Sequence, residues 1–168
     1  LSTGSLTAGS DFKAYLSGAL AATAAVTANR NIELYATSIS NSAALTATTG
    51  SVYLEADTMA LSANVSASSG IATIAPRTDA IQINLGTETA GRLSLVAAEL
   101  NRLVADVVRI GAVDGTNSGA INITAALTPT GTDTMALRTS GSVVGTSGSI
   151  TIANLAINAA EINLPGNN

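Results

Sequence analysis

The chain repeats itself with a period of twenty residues. When residues 31–50 (NIELYATSISNSAALTATTG) are aligned with residues 51–70 (SVYLEADTMALSANVSASSG), apolar residues fall on apolar residues and a glycine falls on a glycine. The matched pairs are Ile32 with Val52, Leu34 with Leu54, Ala36 with Ala56, Ile39 with Met59, Ala43 with Ala63, Leu45 with Val65 and Gly50 with Gly70. A period of roughly 20–50 residues is typical of solenoids, in which each repeat forms one coil stacked on the previous one. The repeat therefore predicts an architecture and leaves the chemistry open.

The composition is compatible with a narrow, aliphatic core. The 168 residues are enough for about eight coils of this length. Hydrophobic residues make up 46% of the chain, but its aromatic residues are limited to Phe12, Tyr15, Tyr35 and Tyr53. A compact globular core usually contains large aromatic side chains, whereas stacked Ala, Val, Ile and Leu side chains fill a solenoid without them.

Alternating, β-branched stretches bounded by Gly, Ser, Asn and Thr predict short strands. They lie at Asn31–Ala36, Ala43–Thr48, Ser51–Ala56, Ala63–Ala67, Ile81–Leu85, Ala105–Ile110, Ala120–Thr124, Ser149–Ala153 and Glu161–Leu164. Turn signals fall between them at Thr49-Gly50, Ser69-Gly70, Asp114-Gly115, Ser140-Gly141 and Ser147-Gly148. This spacing fits a sandwich or a solenoid, and the period favours the solenoid. We predict one all-β domain over residues 1–168, a parallel β-helix of about eight coils, with regular coils over 11–90 and longer coils over 91–168.

The same register, extended in both directions, predicts which side chains stack. It places Asp11, Phe12, Lys13 and Tyr15 over Asn31, Ile32, Glu33 and Tyr35, and Ile74 over Leu54, Arg77 over Asp57, Ile81 over Leu61, Ile83 over Ala63 and Leu85 over Val65. Neighbouring coils are about 4.8 Å apart, so opposite charges in one column can pair. We therefore expect Lys13 to pair with Glu33, and Asp57 with Arg77.

Two segments carry helical signals. Residues 92–104 have apolar side chains at helical spacing, but we predict a strand at Leu93–Leu95, a helical turn around Ala97–Arg102 and a strand at Val107–Ile110, because the last of these is rich in β-branched residues. At the start of the chain, Ser10–Ala22 is compatible with a helix that is capped by its first serine and closes the end of the solenoid.

The second half of the chain carries a set of recurring strand motifs. They are the INLG strand end of residues 83–86, the LSL strand that leads into an A-E-L-x-R-L turn within residues 93–103, the VVRIG strand of 107–111, the GAINI strand of 119–123 and the closing GSITIANLAINAAEINL of 148–164. Together these segments resemble the repeat region of very large filamentous-haemagglutinin-like exoproteins of bacteria.

The resemblance implies a right-handed parallel β-helix that is secreted through the outer membrane and serves as a fibrous adhesin or surface filament. It implies an extracellular or cell-surface location and no catalytic residues in the repeats. The chain differs from the family's pattern because it shows no recognisable secretion domain. It begins at Leu1 and its methionines are Met59 and Met135, so we expect a processed chain or a piece of a longer one.

Charge and residue types argue against several functions. A net charge of −4 and an isoelectric point near 4.5 argue against nucleic-acid binding, which needs a basic patch. No apolar run approaches the roughly 20 residues that a membrane helix requires. The chain has no Cys and no His, which removes disulfides, thiol nucleophiles and zinc–thiolate sites. We expect no cofactor, no metal site and no catalytic residues.

The strongest catalytic alternative is a polysaccharide lyase or hydrolase, because β-helix enzymes of this kind use carboxylates on one face. Glu55 and Asp57 are two residues apart in a predicted strand and form the best such pair. We favour a structural role for them, with Asp57 paired to Arg77 and Glu55 solvated. A further alternative, ice binding, is suggested by Thr46 and Thr48 stacking on Ser66 and Ser68, but this array ends at the next coil.

Four asparagines in I-N-type strands predict a structural feature, a ladder of buried amides along the coil axis. They are Asn84, Asn122, Asn158 and Asn163. Neither end of the chain carries a convincing polar cap, so open strand edges are expected at both ends. The expected partners are copies of the chain or flanking repeats of a longer chain stacked end to end, together with host or cell-surface glycans.

Overall fold

Short strands follow one another along the chain and return to the same three positions in each turn. A computed structural model describes residues 4–112 and 118–164; the predicted turn at Asp114 and Gly115 lies outside these ranges. The strands are β1 (Leu6–Ala8), β2 (Phe12–Tyr15), β3 (Ala19–Ala22), β4 (Val26–Ala28), β5 (Ile32–Tyr35), β6 (Ser38–Asn41), β7 (Leu45–Ala47), β8 (Val52–Glu55), β9 (Thr58–Leu61), β10 (Val65–Ala75), β11 (Ile81–Leu85), β12 (Leu93–Leu95), β13 (Leu103–Ile110), β14 (Ser118–Ile123), β15 (Ala126–Leu127), β16 (Thr134–Arg138), β17 (Ser142–Gly145), β18 (Ser149–Ile150), β19 (Asn154–Asn158) and β20 (Glu161–Asn163). One short helix, α1, spans Ala97–Leu100.

Successive coils pair in parallel and build three faces. Face 1 contains β1, β4, β7 and the first parts of β10 and β13. Face 2 contains β2, β5, β8, the second parts of β10 and β13, then β16 and β19. Face 3 contains β3, β6 and β9, followed by β12, β11, β14, β17 and β20, and β15 pairs with β18. The predicted parallel β-solenoid of about eight turns is confirmed.

The core consists of columns of aliphatic side chains that run along the solenoid axis. Side chains alternate between the two sides of a strand, so every second residue of a face 2 strand points inward. One column is Phe12, Ile32, Val52, Ala72, Val108, Met135 and Leu155, and the next is Ala14, Leu34, Leu54, Ile74, Ile110, Leu137 and Ile157. The central members are buried, with at most 1% exposure. Stacking of the aliphatic residues in register therefore accounts for the repeat.

The period is twenty residues in most of the regular half and nineteen at two steps. Ile32 lies opposite Val52, twenty residues later, whereas Ala19 lies opposite Ser38 and Val26 opposite Leu45. The extra or missing residue is taken up in the turns, because a one-residue slip within a strand would move its apolar side chains to the outside.

Apart from these two steps, the predicted register is correct as far as Ala75, and it is wrong for the next strand. Leu85 was expected over Val65, but Val65 pairs with Leu103 and Leu85 pairs with Leu95 and Ile123. The predicted stacking of Ile81 over Leu61 and of Ile83 over Ala63 fails for the same reason. The chain passes through β11, returns through residues 86–92, and adds β12 between β9 and β11 on face 3.

The two helical signals have opposite outcomes. The predicted strand at Leu93–Leu95 and the following helical turn are confirmed, with α1 at Ala97–Leu100. The capping helix over Ser10–Ala22 is wrong, because this segment forms β2 and β3 and pairs in register with β5 and β6. Its apolar residues fit both helical and alternating periods, and pairing with the neighbouring coil favours the strand.

Candidate functional surface

The outward side of face 2 carries a concentrated set of aromatic and charged side chains. Three successive strands contribute two outward residues each, and we call this set the tyrosine face: Lys13, Tyr15, Glu33, Tyr35, Tyr53 and Glu55. They are brought together because the residues that alternate with them are buried in the core columns. The twenty-residue register thus aligns Tyr15 with Tyr35 and Lys13 with Glu33.

The tyrosine rings form a continuous column. The ring centroids of Tyr15 and Tyr35 are 4.4 Å apart and the planes differ by 6°. Tyr53 lies opposite Glu33 instead of Tyr35, and its ring is 5.4 Å from that of Tyr35 and tilted by 42°. Asn31, Glu33, Tyr35, Ser51 and Tyr53 line a shallow groove of about 480 Å³.

Each inner tyrosine donates its hydroxyl proton to a glutamate on its own strand. The hydroxyl of Tyr35 donates to Oε2 of Glu33 at 3.3 Å, and that of Tyr53 donates to Oε2 of Glu55 at 2.8 Å. Partial burial and the nearby carboxylate of Glu33 raise the pKa of Tyr35 well above its ordinary value.

The expected pair of Lys13 and Glu33 is present. Nζ of Lys13 lies 2.8 Å from Oε1 of Glu33. The hydrogen bond to Glu33 raises the pKa of Lys13 above its usual value. Both side chains are partly exposed, at 46% and 22%, so solvent and salt screen their attraction. The pair therefore orders the face more than it stabilises the fold.

Asp57 contacts Arg77 through the backbone N–H group of Arg77. The predicted ion pair between the two side chains is absent from the described residues. Oδ1 of Asp57 accepts hydrogen bonds from the backbone N–H groups of Arg77 at 3.0 Å and Thr78 at 2.7 Å, and its Oδ2 accepts from the Thr78 hydroxyl at 2.6 Å. In residues 4–112 and 118–164 the ion pairs are Lys13 with Glu33 and Arg30 with Asp11. Strand β8 ends at Glu55, so Asp57 lies in the following turn, and the two carboxylates bind different neighbours.

The four asparagines proposed as an amide ladder do not stack as one column. Asn84 lies opposite Asn122, but its amide donates to the Thr89 hydroxyl at 2.7 Å and accepts from Nη1 of Arg92 at 2.9 Å. Val144 separates Asn122 from Asn163 in the register. Asn158 lies on face 2, opposite Arg138.

A polar column does exist, at the turn that leads into face 2. Oδ1 of Asp11 accepts from the backbone and the amide of Asn31, Oδ1 of Asn31 accepts from the backbone N–H of Ser51, and Oγ of Ser51 accepts from Ile71. These residues are twenty apart in sequence. The twenty-residue register was the signal that could have identified the column, because it aligns Asp11, Asn31 and Ser51.

Face 1 carries a hydroxyl column. The predicted stacking of Thr46 on Ser66 is confirmed, and Thr7 and Thr27 extend the column towards the N terminus. On the other side Ser66 lies opposite Val104, so the hydroxyls end there. The column is one residue wide within the paired strands.

Across the described ranges, no three His, Cys, Asp or Glu residues lie close enough together to bind a metal ion. None of the helical residues in these ranges forms a helix with the length and hydropathy needed to cross a bilayer.

Comparison with known proteins gives no match to a family model, to a curated protein or to a solved structure.

Proposed function

We propose that the chain is a structural segment of an extracellular bacterial fibre or adhesin, a right-handed rod that is extended by stacking at its ends. The role is mechanical and involves no catalysis. The single observation that carries the proposal is that, within residues 4–112 and 118–164, the apolar side chains of the two terminal coils are only partly buried, whereas those of the central coils are buried. The location and handedness follow from the resemblance of the second half of the chain to filamentous-haemagglutinin-like repeats.

The first coil leaves its inward side chains partly uncovered. Leu6, Phe12, Ala14 and Leu16 are only partly buried, although their counterparts in the next coil are almost completely buried. A depression of about 390 Å³ is lined by Phe12, Lys13, Ala14, Leu16, Ala19, Leu20 and Ala21. An added coil would cover these side chains and pair with the outer edges of β1 and β2.

The last coil presents the complementary features. Ile162 on β20 is 54% exposed, and Leu155, Ile157 and Leu164 are only partly buried. Ile162 belongs to face 3, as does Leu20 at the opposite end. When one rod stacks on another along a common axis, the partly buried apolar side chains of both ends would become covered.

Contacts between different surfaces of identical units produce open filaments unless a rotation closes them into a ring. Stacking at the two ends of a straight solenoid is of this kind. The next coil in such a rod comes from a second copy or from a flanking repeat of a longer chain. Backbone hydrogen bonds then run along the axis and give the rod its stiffness. Its sparsely charged, Ser- and Thr-rich sides are available to other rods or to surface glycans.

The test is the concentration dependence of sedimentation for the wild type and two variants. Ile162→Asp places a charge at the end of the rod, and Ala60→Asp places the same charge on an exposed site of face 3. We expect wild type and Ala60→Asp to form long oligomers, and Ile162→Asp to need a roughly tenfold higher concentration because a buried apolar contact is lost. A wild-type protein that stays monomeric at high concentration contradicts the proposal.

A further inference from the structure

The first two tyrosines of the tyrosine face are held in direct contact by the strand register. Tyr15 and Tyr35 are opposite each other on β2 and β5. Their rings are nearly parallel, with centroids 4.4 Å apart, so the two phenols are in stacking contact. The ring pair of Tyr35 and Tyr53 is more distant and is tilted by 42°. One pair of phenols is therefore arranged for coupling and the other is not.

The same pair differs in its access to solvent and in its proton acceptors. Tyr15 is 68% exposed and lies on β2, which among the described strands pairs only with β5, so an oxidant can reach its ring. Tyr35 is partly covered, and its hydroxyl donates to Oε2 of Glu33 at 3.3 Å. The phenol of Tyr35 loses an electron together with a proton, for which Glu33 is an adjacent acceptor.

We propose that Tyr15 and Tyr35 are a modification site that forms an intrachain dityrosine cross-link when a haem peroxidase and hydrogen peroxide supply the oxidant. Each phenol loses one electron and one hydroxyl proton, from Tyr35 to Glu33 and from Tyr15 to water. The two radicals form a carbon–carbon bond between their ortho positions, and the ortho hydrogens then move to the oxygens to restore both phenols. The two electrons and two protons reduce one hydrogen peroxide to two waters.

The cross-link would join the first coil to the second. The two cross-linked residues are 20 positions apart in sequence, because they occupy the same position in consecutive coils. Edge strands open more readily than central ones, and a covalent closure restricts the opened state. Backbone amides of β2 should therefore exchange with solvent more slowly after oxidation. This inference does not depend on the proposed fibre role.

The experiment is oxidation of the dilute full-length chain by peroxidase and hydrogen peroxide, followed by mass spectrometry of the monomer. We expect a loss of two hydrogen masses, dityrosine fluorescence and a cross-linked peptide pair containing Tyr15 and Tyr35. Tyr15→Phe and Tyr35→Phe preserve the stacked rings but remove a phenol, so the monomer product should fall at least tenfold. Tyr53→Phe is the matched control and should react like the wild type.

Slower amide exchange in β2 of the oxidised monomer, compared with untreated protein, is the second expected result. The proposal is overturned if Tyr15→Phe gives as much intrachain dityrosine as the wild type. It is equally overturned if cross-links form only between molecules.

Discussion

The carboxylate of Glu99 accepts a hydrogen bond from the backbone N–H of Leu61 at 2.9 Å, across 38 residues of sequence. Its second oxygen accepts from the backbone N–H of Val96 at 3.0 Å. Glu99 is 8% exposed and therefore connects the start of α1 to the end of β9. This link joins α1, which directly follows β12, to β9 at the point where the regular coils end.

Glu99→Leu should lower the free energy of unfolding by roughly 2–4 kcal/mol, because two largely buried N–H groups lose their acceptor. The measurement is urea denaturation followed by circular dichroism. Asp79→Asn, at an exposed turn position, is the control and should change stability by less than about 0.5 kcal/mol. Equal stability of Glu99→Leu and the wild type would show that the buried carboxylate is not needed at this junction.

Replacement of three different glycines by alanine should affect the stability of the fold to three different extents. Gly111 has a φ of +100°, and a Cβ there would collide with the backbone oxygen of Arg138 in the next coil. Gly91 has a φ of +74° but faces open space, and Gly9 has neither restriction. We expect Gly9→Ala to be neutral, Gly91→Ala to cost about 1 kcal/mol from backbone strain, and Gly111→Ala to cost more than about 3 kcal/mol. Thermal or urea unfolding of the three variants measures the order, and a Gly111→Ala variant as stable as Gly91→Ala contradicts it.

The lowered pKa of Asp11 predicts that the folded protein loses stability in acid. The backbone N–H of Asn31, which donates to Oδ1 at 3.1 Å, lowers the pKa of Asp11 below its usual 3.8, with help from Arg30. A depressed folded-state pKa contributes stability above the unfolded value, and that contribution disappears as the pH falls through the folded value. Asp11→Asn keeps an oxygen acceptor without the charge, so its melting temperature should depend less on pH.

Melting curves of wild type and Asp11→Asn from neutral to strongly acidic pH test this directly. The wild type should be more stable near neutral pH, and the difference should close below the usual pKa of 3.8. A constant difference between the two proteins at every pH would argue against a contribution from the ionised carboxylate.

Sequence periodicity predicts the regular half of the fold because a solenoid places equivalent residues in one column. Phe12, Ile32 and Val52 could be aligned without any structure, as could Lys13 and Glu33. The same alignment fails beyond Ala75, because the chain returns through residues 86–92 and adds β12, and neither this return nor the buried contact of Glu99 has a repeat in the sequence. A contact between positions 38 residues apart gives no periodic signal.

The candidate surface was only partly predictable. The alignment of Tyr15 with Tyr35 follows from the period, but the proximity of Tyr53 does not, because Tyr53 is aligned with Glu33 and reaches Tyr35 diagonally. The asparagine ladder failed because a shared I-N motif does not place residues in one column. Asn84 and Asn158 occupy different faces.

Fibre diffraction from an aligned, concentrated sample tests the central claim, that this chain forms a solenoid rod extended along its axis. Each coil adds one strand spacing along that axis, so a reflection near 4.8 Å should lie on the meridian, parallel to the fibre. Electron micrographs of the same sample should show rods of uniform width that are many chain lengths long. A sample that yields only compact single particles, with no meridional reflection at this spacing, would contradict the account.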